Sequence, residues 1–228
     1  KDALIALILD VDPPQELIDK VLSPIDFENQ ARAAKLIRSL AKEPFFILSR
    51  ARTESVLIDI LPSILVLLQS SPEPDQTLRN FTRIVSAVGG RYYFYLNLQS
   101  DPELLITVMT FAGWANFLID YLIRFPGLID DLFENMDPED LFLPDVKQEA
   151  NDLIHGLSNP HQSLAYIHAR ELVRIAIHDL RGFEYLSVCR ALSQLACDIL
   201  SGAFDFCSQR LADAWGWPEE DGKRVEWA

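Results

Sequence analysis

Along almost the whole chain, apolar residues recur every three or four positions, the period of an α-helix that buries one face. The clearest run lies within 184–214, where Cys189, Leu192, Ala196, Ile199, Ala203 and Phe206 follow one another at intervals of three and four. That spacing predicts a bundle seam, on a helix about 45 Å long at the usual rise per residue. Sustained alternation of apolar and polar residues, the mark of half-buried strands, is lacking. The predicted fold class is therefore all-α: a multi-helix bundle, in one or two lobes, ending in a long antiparallel helix pair.

Punctuation divides the pattern. Pro13-Pro14 opens one helix, and Asp26 is placed to cap the next. A long apolar helix from Ser49 to Leu68 carries Pro62 in its middle, which predicts a kink or a break there because the ring removes a backbone hydrogen bond. Residues 75–88 form a helix ended by Gly89-Gly90, and Asp101-Pro102-Glu103 reads as a cap with proline at the first helical position. Gly182 marks the turn between the last two helices. The chain divides into an N-terminal helical region, 1–135; an acidic proline-containing linker, 136–146; a long helical hairpin region, 147–214; and a closing segment, 215–228. In that last segment Val225 and Trp227 alternate with charged residues like the start of a strand.

A net charge of −14 over 228 residues is a poor match for phosphate backbones and repels anionic membranes. No nucleic-acid partner and no membrane are expected. Leu104 to Ile123 has the length of a spanning helix, but Gly113, Asn116 and Asp120 favour two adjacent buried helices. Cys189, Cys197 and Cys207 make an odd number without a CxxC, which reads as buried thiols in a reduced, cytoplasmic protein. The chain begins at Lys1 without a methionine, and is read as a piece of something longer.

The search for chemistry returns little. Neither GxGxxG nor GxxxxGK[ST] occurs, and HExxH is missing. His161 and His168 lie seven apart, but no local signature supplies further zinc ligands. The paired acids Asp130-Asp131, Glu139-Asp140 and Glu219-Glu220-Asp221 fall at helix starts or in loops, where they solvate the surface. No catalytic, cofactor-binding or metal-binding residue is assigned. The run Tyr92, Tyr93, Phe94, Tyr95 is read as helix core before aromatic platform.

The stretch RELVRIAIHDLRG, 170–182, is the remaining candidate. Wound as a helix, Arg170, Arg174, His178, Arg181 and Glu171 share one arc, opposite Leu172, Val173, Ala176, Ile177 and Leu180. The arc is expected to be the wet side of the helix. Arg170, Arg174, His178 and Arg181 form a candidate partner-docking stripe. Asp179 falls on the apolar side, where a carboxylate needs a partner; Arg190 on the next helix is the expected one, as a structural ion pair.

RELVRIAIHDLRG and the following LSVCRALSQLACDIL resemble the helical segment ahead of the nucleotidyltransferase domain in glutamate–ammonia ligase adenylyltransferases. PDQTLRNFTRIVSAVGGRYYFYLNLQSDPELL and LIDYLIRFPGLIDDLF resemble the same family, and AWGWPEEDGKRVEW is similar to its lead-in to the catalytic domain. The resemblance covers most of residues 20–228. It implies a parent enzyme that attaches AMP from ATP to a tyrosine of glutamine synthetase and removes it again, with ATP and magnesium as its cofactors. The implied partners are glutamine synthetase and a PII-type signalling protein. In the family a Gly-rich turn and an Asp-x-Asp pair follow this point; that succession does not occur here, so no catalytic residue carries over. The implied role is a non-catalytic helical domain that positions the catalytic one. The alternative is a stand-alone helical adaptor for protein interactions.

Overall fold

The computed structural model describes residues 2–10, 12–42, 47–88, 90–129, 146, 148–149, 160–220 and 223–224. The chain divides into two compact units, Lys1–Met136 and Asp137–Ala228.

The first unit contains α1 (Asp2–Leu9), α2 (Gln15–Leu22), α3 (Gln30–Leu40), α4 (Ile47–Gln69), α5 (Pro74–Ala87), α6 (Arg91–Ser100), α7 (Pro102–Trp114) and α8 (Asn116–Arg124). α4 packs on α6, and α5 packs on α3, α7 and α8. Leu57, Leu61, Ile64, Leu68, Leu78, Phe81 and Tyr95 are fully buried at the centre. α4 runs unbroken through Pro62, so of the expected kink or break the break does not occur. Pro62 faces solvent while its neighbours Leu61 and Ile64 are buried, so the backbone group freed by the ring lies on the wet side and the apolar face stays continuous.

Caps explain the other boundaries. Asp26 is not the cap of α3: Ile25 and Phe27 on either side are buried and hold the exposed Asp26 in the lead-in. Asn29 caps instead, accepting from the Arg32 N–H at 2.9 Å. Asp101 caps α7 as expected, accepting from the Leu104 N–H at 3.0 Å, with Pro102 at the first position. α7 and α8 meet at 113°. The turn falls at Ala115, not at Gly113, whose lack of a side chain serves packing: a Cβ there would lie 3.1 Å from the Thr77 hydroxyl. Asn116, costly in lipid, bonds to buried Asn80, and Asn80 also donates to the Ala112 carbonyl at 2.8 Å. No single described helix is long and apolar enough to cross a membrane.

The aromatic run divides by helical phase. Phe94 and Tyr95 are core, whereas Tyr93 is exposed. The Tyr95 hydroxyl donates to the Leu40 carbonyl at 2.9 Å, and buried Arg91 donates to the Ser39 and Lys42 carbonyls. α6 thus closes the open end of α3.

The second unit is built on α9 (Pro160–Leu180) and α10 (Tyr185–Trp215), followed by β1 (Glu219–Glu220) and β2 (Lys223–Arg224). The strands pair antiparallel, Glu219 opposite Arg224 and Glu220 opposite Lys223. Asp221-Gly222 between them is a hairpin dipeptide that the helical reading passed over; Val225 and Trp227 lie outside the described residues. The core joins Val146, Ile167, Ile175, Val188, Ala191 and Leu195, with Ile199 and Phe206 packed against it. The seam of α10 is therefore rotated from the expected one. Leu192 and Ala196 are exposed, and Cys189 and Ala203 are half-buried, while Val188, Ala191, Leu195 and Gly202 are buried. Cys197 and Cys207 are exposed, which corrects their reading as buried thiols. Of the expected linker 136–146, only Val146 is described, and it is a buried core residue.

Candidate functional site

The turn after α9 fixes one end of the candidate stretch. Gly182 takes φ +84, which a residue with a side chain adopts at a cost. Its N–H donates to the Asp179 carbonyl at 2.9 Å, and the Phe183 N–H donates to the His178 carbonyl at 3.2 Å. This pair of bonds is a Schellman motif. The motif brings the residue after the glycine back over the last turn, and the Phe183 ring packs edge-on against the His178 ring at 4.6 Å. His178 is buried for that reason, with 1% of its surface accessible. It is part of the hairpin closure and not of a surface stripe.

One turn earlier lies an ion network. Glu171 has 2% of its side chain accessible. Its two carboxylate oxygens each accept at 2.8 Å, one from the Nε of Arg170 and one from the Nε of Arg174. The remaining edge of the Arg170 guanidinium grips Glu149 with two parallel bonds, Nη1 to Oε1 at 2.8 Å and Nη2 to Oε2 at 2.6 Å. The Glu149 carboxyl is held below its usual range, chiefly by this bond from Arg170, with burial opposing. The Arg170 guanidinium is held more firmly protonated, chiefly by Glu149, again against burial.

The arc read as the wet side of α9 is thus mostly enclosed. Among the described residues two arginines meet two glutamates, whose formal charges cancel. Arg181 alone among the four proposed docking residues is exposed. The wheel erred because it assumed one covered face, whereas Val146 and Glu149 bring a further covering segment to α9. Glu149 was missed. It lies 21 residues from Arg170, and no local spacing connects them. Asp179, assigned to the apolar side, is exposed, as is Arg190. Among the described residues no hydrogen bond or ion pair joins their side chains. An exposed carboxylate is satisfied by water, so the expected Asp179–Arg190 pair has no burial cost to offset.

The site does not fit Mg-ATP. Among the described residues no group of three His, Cys, Asp or Glu side chains could hold a metal ion. Glu149 and Glu171 are committed to arginines. His161 is exposed, His168 half-buried, and His155 lies outside the described residues.

A profile of the glutamate-ammonia ligase adenylyltransferase family matches residues 103–226, more than half of the chain. The chain belongs to that family. The match takes in α7 to α10, the ion network and the β hairpin. Its curated relatives include the bifunctional glutamine synthetase adenylyltransferase/adenylyl-removing enzyme of Mycobacterium avium, 27% identical over 197 residues, covering 83% of this chain and 19% of the relative. The protein of the same name from Mycobacterium tuberculosis strain H37Rv is also 27% identical over 197 residues, with the same coverage. That of Nitrosomonas europaea is 24% identical over 199 residues, covering 87% of this chain and 21% of the relative. The chain spans about a fifth of the length of the curated relatives it matches. No solved structure matches.

Proposed function

We propose that this chain is a non-catalytic helical part of an enzyme that transfers AMP from ATP to glutamine synthetase and removes it again. Its work is to position a nucleotidyltransferase domain. The observation that carries the reading is the continuity of the family match, which runs along α9 and α10 into the β hairpin at 219–224. In this reading the Glu149–Arg170–Glu171–Arg174 network fixes the angle at which the hairpin pair presents that exit. Positioning of reacting groups by remote rigid elements is a large part of transfer catalysis. Glutamine synthetase and a PII-type signalling protein are the partners the reading supplies, in the cytoplasm, with Arg181 the exposed member of the docking residues.

The test is an AMP-transfer assay with labelled ATP, magnesium and glutamine synthetase. The 228-residue chain alone is expected to give no labelled product, and the full-length parent protein to label glutamine synthetase. In the parent, Arg170→Met combined with Arg174→Met is expected to lower transfer while leaving ATP affinity unchanged. Transfer by the short chain alone contradicts the non-catalytic reading. Full transfer by the double variant contradicts the positioning role.

A further inference from the structure

α1, α3 and α4 line a half-open pocket of about 400 Å³ in the first unit. Three cations line it: Lys35, Arg38 and Lys42. Lys35 and Arg38 stand three apart, on one face of α3, and Lys42 follows just beyond the end of that helix. The wall beside them is apolar, formed by Ile8 and Ala41. On a chain of net charge −14, such a convergence is a local reversal of sign.

Arg38 donates to the main-chain carbonyl of Asp10 at 3.4 Å, which ties α3 to the end of α1. The carbonyls at the end of α3 would repel an anion, but Arg91 and Tyr95 already donate to those of Ser39, Leu40 and Lys42. Arg91 and Tyr95 are themselves buried, so this closure is rigid. The Lys35 and Lys42 ammonium groups have no hydrogen-bond or ion-pair partner among the described residues. Asp10 and Glu54 also line the cavity. Three cations against two carboxylates leave the lining positive, and the acids offer acceptors to any hydroxyl the occupant bears.

We propose that this cavity binds a small oxyanion, a phosphate or a carboxylate metabolite, held by Lys35 and Lys42 with Arg38 at its back. The volume suits a metabolite and not a peptide segment. The site lies in the first unit and does not depend on the transfer reading, so failure of either leaves the other standing.

Calorimetric titration of the 228-residue chain at low ionic strength tests it, with inorganic phosphate and citrate as separate probes. One saturable site is expected for at least one probe, and which one binds separates the two sources of the anion. Lys35→Gln with Lys42→Gln is expected to weaken binding about tenfold. Both lysines are exposed, so the circular dichroism spectrum and melting temperature should not change. Binding of neither probe overturns the proposal, as does binding that the double variant leaves intact.

Discussion

α9 and α10 form one hairpin, yet they treat their side chains in opposite ways. α9 has 21 residues and encloses even charged Glu171 and imidazole-bearing His178. α10 has 31 residues and leaves Tyr185, Leu186, Leu192, Leu200, Phe204, Leu211 and Trp215 exposed. Polar residues are inside on one helix and large apolar residues outside on the other. The difference teaches that burial is decided by what covers a face, not by what the face is made of. α9 is covered on more than one side, and its charges must then be paired. Among the described residues α10 is covered along a single seam, and its remaining large apolar residues are exposed.

The sharpest way to break this comparison is to remove the carboxylate at the centre of α9. Glu171→Gln removes the carboxylate that both the Arg170 and the Arg174 Nε donate to, and should cost about 3 kcal/mol of stability in urea denaturation. A loss near zero would mean that water reaches the network freely. On α10 the contrast is between two leucines. Leu195→Ala, 2% exposed, should cost about 2 kcal/mol, whereas Leu200→Ala, 70% exposed, should change stability by less than about 0.5 kcal/mol. Equal costs would contradict the single buried seam through Leu195.

Acid sharpens the account of Glu149. Its folded pKa is depressed, so its contribution is present above the ordinary carboxylate value and is lost as pH falls through the folded one. Stability should therefore decline on the acid side, and Glu149→Gln should flatten that part of the profile. The smallest effect concerns the thiols. Cys197 and Cys207, both exposed, should react with a thiol reagent in the native state faster than half-buried Cys189. Labelling followed by mass spectrometry reads the order.

Much of the helical framework was legible because local chemistry writes it. Asp101 and Pro102 start α7, and Gly182 turns the hairpin through a positive φ; each signal lies within a few residues of its effect. Pro62 does not break α4 because its ring faces solvent, and which side a ring faces is a tertiary fact. The seam of α10 misled for a related reason. Apolar residues occupy more than half of its circumference, so two adjacent arcs fit the spacing equally well, and Ile199 and Phe206 belong to both. At the candidate site, Arg170 and Arg174 were visible as unusual charges, but their partner Glu149 is a long-range contact. Glu171 was visible too, and was assigned to water because nothing in a single helix reveals a second covering segment.

The inward use of charge on α9 is tested most directly by a double-mutant cycle on Glu171 and Arg174, with Glu171→Gln, Arg174→Met and the pair measured by urea denaturation. The account predicts a coupling of about 1 kcal/mol or more, as expected for groups within one ion network. Strictly additive losses would contradict it, and would return the arc to the surface role read from the sequence.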